Sequence, residues 1–259
     1  MTEPRPTEFV QSLERGLAVI RAFSHERPRL TLSDVARETG MTRAAARRFL
    51  ITLESLGYVT SDGRQFSLRP SVLQLGYAYL SSFSLAEIAQ DHLEELANRI
   101  HESCSASVLD GDDIVYVARA STNRIMTIGL SVGARLPANC TSMGRILLAA
   151  LSDSELEHYL SKVALQARTD RTITDPRELR AEIMRVREQG YCLLDQELEA
   201  GVRSIAVPVH DADNRVVATI NVSGQATRVE LETLRGGYLS QLRDCAAQIN
   251  ADLAGRRHT

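Results

Sequence analysis

The chain is 259 residues long and 44% hydrophobic, enough to bury a core in each of two domains. Its formal net charge of -3 is unevenly spread: residues 1 to 70 hold eleven arginines and eight acids, leaving 19 basic and 25 acidic residues for the remainder. A small basic end on an acidic body excludes a uniformly polyanion-coating protein and fits a local nucleic-acid-reading module.

Past Pro4 and Pro6, the residues Leu13, Leu17, Ile20 and Phe23 recur at helical spacing up to a charged stretch with Pro28. Thr31 with Asp34 three residues later is a capping-box signal, opening a short helix over Leu32, Val35 and Ala36 that Gly40 stops. Thr42 caps a third helix with the apolar face Ala46, Phe49, Leu50, Leu53 and Leu56, closed by Gly57. Residues 58–60 and 65–68 bracket Ser61-Asp62-Gly63-Arg64, a hairpin with a glycine turn and an arginine at its tip. Together these spell a winged helix-turn-helix over residues 1–69. From Pro70 the pattern Val72, Leu75, Gly76, Tyr79, Leu80 predicts a linker helix over 70–83, broken at Ser81-Ser82-Phe83.

Residues 84–259 read as the second domain. Ser84 with Glu87 caps a helix running through Ile88, Leu93, Leu96 and Ile100, after which the periodicity changes to two. Strands are expected at 105–109, 114–117, 125–130, 191–194, 204–209 and 216–222, with helices at 142–151, 153–160, 176–189 and 229–253. The order is mixed rather than strictly βαβα, so the class is α/β of the α+β kind with a largely antiparallel sheet.

A helix inserted in a major groove presents its N-terminal residues to base edges, which makes Arg43, Ala44, Ala45 and Arg47 the readers, with Arg48 flanking toward a strand. The guanidinium fork pairs with guanine or phosphate, and the alanines allow close approach to a thymine methyl. Arg64 on the wing meets backbone or minor groove, and the cap residues Thr31 and Thr42 sit beside these contacts. An isolated Arg47-Arg48 pair would read as a solvated helix face; the capped short helix, glycine turn and following hairpin favour recognition of double-stranded operator DNA.

Two polar clusters mark the second domain. The stretch from Gly133 to Arg145 leads from a strand into a helix whose start holds Cys140, Thr141, Ser142 and Met143; free backbone N–H groups there suit a carboxylate, and Thr141 and Ser142 are equally well explained as helix caps. Asp195, Glu197, Glu199, Arg203 and Ser204 surround Gly201 on a loop between strands, either rimming a pocket or forming a solvated acidic surface. Asn221 and Ser223 end an apolar strand with side chains turned the same way, where they could hydrogen-bond a ligand. A small carboxylic acid is the partner this chemistry fits.

Other classes find little support. Cys104, Cys140, Cys192 and Cys245 are too scattered for a zinc ribbon or disulfide framework, and the six histidines have no metal-ligand spacing. No nucleophile elbow or phosphate loop occurs, so neither a catalytic residue, a metal nor a cofactor is expected. Nothing near Met1 reads as a signal peptide and the longest fully apolar run, 146–151, is far too short for a bilayer; a cytoplasmic protein without membrane association is expected.

The segments Ser12-Leu13-Glu14-Arg15-Gly16-Leu17, Gly40 to Leu50, Leu136 to Ala149 and Gly201-Val202-Arg203-Ser204-Ile205-Ala206-Val207-Pro208 resemble the IclR family of bacterial transcriptional regulators over about residues 9 to 253. Arg43 to Leu50, Cys140 to Arg145 and Asp195 to Gly201 are similar to its β-ketoadipate and protocatechuate pathway branch. The resemblance implies a winged helix-turn-helix, a linker helix and a GAF-like effector domain that binds small organic acids or aromatics; a dicarboxylate such as β-ketoadipate, or an aromatic acid, suits the helix start and nearby serines. It also implies homodimers that pair into tetramers, and effector contacts near Thr141, Ser142, Asp195, Ser204 and Ser223. Ala44 and Ala45 depart from the Ser and Thr common there. The mechanism expected is allosteric: effector binding alters the linker helix and so the separation of two DNA-reading domains in a dimer. Two rival readings fit the same residues: an enzyme using Asp195, Glu197 or Glu199 for acid/base chemistry behind a DNA-binding end, and a winged-helix module that binds protein only.

Overall fold

The computed structural model describes residues 8–24, 26–82, 84–121 and 130–255. The chain divides into two compact units, Met1–Ser82 and Phe83–Thr259.

In the first unit α1 (Gln11–Arg21), α2 (Leu32–Glu38) and α3 (Arg43–Ser55) enclose a core of Val19, Phe23, Leu30, Val35, Ala36, Ala46, Leu50, Leu53 and Val59. Thr31 makes the capping box with Asp34, its hydroxyl accepting from the Asp34 N–H while the Asp34 carboxylate accepts from the Thr31 N–H. Gly40, at φ 65°, makes the turn between α2 and α3, a left-handed conformation that suits glycine. The hairpin of β2 (Val59–Ser61) and β3 (Gln65–Leu68) forms as expected. A strand that periodicity misses, β1 (Arg29–Thr31), pairs with β3 to give the order β1-β3-β2. Three residues are too few to show alternation. After a single 3-10 turn at Pro70–Val72, α4 (Leu73–Ser82) occupies the linker segment.

The second unit is built on one six-stranded antiparallel sheet in the order β6-β5-β4-β9-β8-β7. Its strands are β4 (Ser103–Asp110), β5 (Asp113–Ala120), β6 (Arg135–Pro137), β7 (Cys192–Asp195), β8 (Val202–His210) and β9 (Val216–Gln225). The helices are α5 (Ser84–Ile100), α6 (Ser142–Ala149), α7 (Asp153–Lys162), α8 (Pro176–Gln189), a short α9 (Leu231–Thr233) and α10 (Leu239–Gly255). Pro176–Gln189 matches the expected helix at both ends, because the Asp175 cap, Pro176 at the first position and a left-handed Gly190 are each local signals.

The departures have local causes. The expected strand at 125–130 lies outside the described residues except for Leu130, which is in no strand. The short edge strand β6 was not anticipated. The single helix expected over 229–253 is interrupted by a π-helical turn at Leu234–Tyr238, which holds the Gly236-Gly237 pair and so the weakest helix formers in the segment.

Strand alternation gives the sheet two unlike faces. Cys104, Ala106, Ala118, Ile205, Val207, Ala218, Ile220 and Val222 pack against α5 and α10 in one core. Ile114, Tyr116, Cys192, Leu194 and Ala206 join α6, α7 and α8 in a second. Polar residues of the centre strands, Ser105, Ser107, Thr219 and Asn221, are buried between these apolar patches. Such a polar stripe inside a sheet is costly unless it is hydrogen-bonded or meets a ligand.

Candidate functional site

The first unit presents a basic helix face. Arg43, Ala44, Arg47 and Arg48 are exposed at the N-terminal half of α3, Ala45 is half-buried, and Thr42 caps the helix by accepting from the Ala45 N–H at 3.2 Å. Nearby cations are neutralised: Arg27 pairs with Glu38 and Arg37 with Asp34. Arg43, Arg47 and Arg48 have no ion pair among the described residues. At the wing tip Asp62 accepts from the N–H groups of Gln65 (2.7 Å) and Arg64 (2.9 Å), which holds its carboxyl below the usual range and projects the exposed Arg64. Thr31 and Thr42 act as caps, so their hydroxyls are engaged by their own helices.

The second unit holds a cavity of about 1450 Å³ that is half open to solvent. Of the residues singled out from sequence, Cys140, Thr141, Ser142, Met143, Ser204, Asn221 and Ser223 line it. They come together because α6 starts over the sheet where β8 and β9 run side by side, with Ser204 opposite Ser223. Asp195 and Arg203 do not line it. They pair with each other across β7 and β8, Arg203 also donating to the Ala226 and Val229 carbonyls and Arg171 also reaching Asp195. Burial, which alone would raise the Asp195 carboxyl, is outweighed by the bonds from Arg203 and Gln196, and the group sits below its ordinary range.

At the start of α6 the Thr141 hydroxyl is fully used: it donates to the Pro137 carbonyl (3.0 Å) and accepts from the Gly144 N–H (3.1 Å). Ser142 differs. Its Oγ is buried and has no hydrogen-bond partner among the described residues, and the same holds for Asn221 Oδ1. Buried polar atoms are nearly always satisfied, so two orphans among the residues lining one cavity mark a place where a polar ligand belongs. Burial pushes the Cys140 thiol up, against the opposing pull of Arg168 and Arg145, which leaves it a protonated thiol rather than an activated nucleophile.

The loop from Gln196 to Gly201 forms another wall and is held by a group that sequence reading did not single out. Arg145 of α6 is only 1% exposed; its Nη1 donates to Glu197 Oε1 at 2.9 Å, its Nη2 to Glu197 Oε2, and its Nε to the Asn139 carbonyl at 2.8 Å. Thr169 and Thr172 donate to the Gln196 and Glu197 carbonyls at 2.8 and 2.6 Å. Two of the three acids that suggested acid/base chemistry are therefore occupied, Asp195 by two arginines and Glu197 by a buried one, while Glu199 is exposed to water.

The bacterial transcriptional regulator IclR C-terminal model matches residues 77–251, and the IclR helix-turn-helix model matches residues 12–63. This chain belongs to the IclR family. The Pca regulon regulatory protein of Pseudomonas putida is 54% identical over 229 residues, covering 87% of this chain and 79% of that protein. The crystal structure of a transcriptional regulator from Rhodococcus sp. RHA1 is 57% identical, with a TM-score of 0.84 over 95% of this chain and 98% of that one. An IclR homologue from Microbacterium hydrocarbonoxydans, solved in complex with 4-hydroxybenzoate, is 25% identical with a TM-score of 0.82, over 93% of this chain and 98% of that one. Membership identifies the molecule as a transcriptional regulator with a helix-turn-helix end, and the fold of this IclR protein is the mixed α/β one expected. No helix among the described residues is long and apolar enough to cross a membrane.

Proposed function

We propose that this IclR regulator binds double-stranded operator DNA as a homodimer and that a small aromatic carboxylic acid, held in the cavity of the second unit, sets its operator affinity and so controls genes of aromatic-acid breakdown. The observation that carries the reading is the cavity lining itself: two of its residues, Ser142 and Asn221, hold buried oxygens without partners, while the lining carboxylates Glu102 and Glu197 are taken up in ion pairs. The 4-hydroxybenzoate bound by the Microbacterium homologue supports the aromatic-acid class. Ser142, Asn221, Ser204, Ser223, Met143 and Cys140 are the effector contacts in this reading, Thr141 caps α6, and Asp195 with Arg203 braces the strand that carries Ser204. No cofactor takes part.

On DNA, Arg43, Arg47 and Arg48 with Ala44 and Ala45 enter the major groove and Arg64 follows the backbone. Arg47→Ala is expected to weaken specific operator binding by about 1–3 kcal/mol while leaving non-specific binding nearly unchanged. A titration at fixed salt checks this, and unchanged operator affinity would remove Arg47 from the readers.

The dimer rests on exposed apolar side chains that a monomer would leave in water: Val10, Leu13 and Leu17 on and before α1, and Leu73, Leu75 and Tyr77 on α4. Sedimentation velocity should return twice the chain mass, or a multiple of that dimer. A species of one chain mass at micromolar concentration would contradict it.

A further inference from the structure

Among the described residues, every charged side chain around the cavity but one is either in an ion pair or exposed to water, and the exception is Arg119. Of the lining acids, Glu102 is paired with Arg228 and Glu197 with Arg145. Glu199, Asp170 and the cation Arg168 are exposed to water, where charge is inexpensive. Arg119 lines the cavity from a half-buried position on β5 and has no carboxylate partner among the described residues. Burial pulls its proton affinity down, and the neighbouring Tyr116 hydroxyl opposes this without reversing it. A desolvated guanidinium without an anion is an unfavourable arrangement that a bound anion would relieve.

The sheet register places Arg119 in one row with the orphaned amide. Arg119 lies opposite Ser105, Ser105 opposite Asn221, and Asn221 opposite Ala206, so all four share a face. Two strand spacings separate Arg119 from Asn221, about 10 Å between their Cα atoms, and a ring-sized molecule fits between side chains reaching inward from each end. The Arg119 backbone is fixed from the other side: the Gln90 amide of α5 accepts from its N–H and donates to its carbonyl, both at 3.2 Å.

We infer that Arg119 is the carboxylate anchor of the effector cavity, and that Asn221 Oδ1 and Ser142 Oγ receive a hydroxyl at the far end of the ligand, which makes the cavity selective for hydroxylated aromatic acids. The start of α6 is then not the carboxylate site, its cap being satisfied internally by Thr141. The inference rests on the effector reading above.

Calorimetry on the full chain with three probes, 4-hydroxybenzoate, its neutral analogue 4-hydroxybenzamide and unsubstituted benzoate, tests it. Wild type should prefer the acid over the amide by at least about tenfold, as a charge-assisted hydrogen bond implies, and over benzoate by about tenfold because the buried acceptor is left unmet. Arg119→Gln should lose the preference for acid over amide while binding the amide as wild type does, and Arg119→Lys should restore part of it. A merely structural arginine would weaken both ligands equally. Unchanged acid binding in Arg119→Gln overturns the anchor while the effector reading stands. Equal affinity of wild type for 4-hydroxybenzoate and benzoate overturns the hydroxyl site. Failure of wild type to bind 4-hydroxybenzoate or benzoate removes the aromatic-acid reading and this inference with it.

Discussion

Replacing Glu197 by alanine should destabilise the second unit by about 3–5 kcal/mol, the usual consequence of leaving one partner of a buried ion pair uncompensated. Among the described residues Arg145 is the largest fully buried side chain that carries a charge, and Glu197 accepts from two of its three nitrogens. Without the carboxylate the guanidinium keeps only the Asn139 carbonyl. Urea unfolding of the wild type and Glu197→Ala checks the size. The double variant Arg145→Met with Glu197→Leu separates stability from positioning: burying two apolar side chains of similar volume should recover most of the loss. The Gln196–Gly201 loop would then keep Thr169, Thr172 and its backbone bonds to Val202 and Ala226 but lose its tie to α6, and effector binding should remain weakened. A Glu197→Ala midpoint equal to wild type would show that the pair contributes nothing to folding.

A second large effect is expected at Gly144. A Cβ built there would lie 2.1 Å from the Ala138 carbonyl oxygen and 2.4 Å from its Cα, both backbone atoms of the turn that precedes α6. No side-chain rotation relieves such a contact. Gly144→Ala must push Ala138–Cys140 away from the helix, breaking the Thr141 cap on the Gly144 N–H and moving Ser142 with it. The cost should exceed the about 1–3 kcal/mol of ordinary overpacking, and effector affinity should fall with it. Gly63→Ala at the wing tip serves as the comparison: nothing lies within 4 Å of its added Cβ, so only the strain of its left-handed backbone is felt, and effector binding should be untouched. Normal stability and effector binding in Gly144→Ala would refute this account of the α6 start.

How much of this was legible in the sequence depends on whether the signal is local. Helix caps are local: Thr31 and Thr42 each open the helix expected of them, and Ser152 and Asp175 cap two helices whose starts the sequence places correctly. Serine and asparagine at the end of β9 were readable as facing one way because alternation needs no tertiary information. Arg145 was passed over although it lies inside a quoted motif, since an arginine in an otherwise apolar helix looks the same whether its partner is water or Glu197, 52 residues on. Asp195 drew attention as an unpaired acid for the same reason, while its partners Arg203 and Arg171 reach it through strand pairing and a distant loop. Arg119 carried no signal at all. Its meaning depends on the registry of three strands and on which neighbouring acids are already taken, and neither is written along the chain.

The central claim is that one small acid changes how tightly this regulator grips its operator. The most direct measurement is a titration of the full-length protein against DNA from upstream of its own gene, at fixed salt, with and without saturating 4-hydroxybenzoate. Coupling of about 1–3 kcal/mol predicts a shift of the half-saturation point by about 5- to 150-fold, with the shift abolished in Arg119→Gln at the same acid concentration. An identical half-saturation point with and without acid, in protein that calorimetry shows to have bound it, would contradict the account.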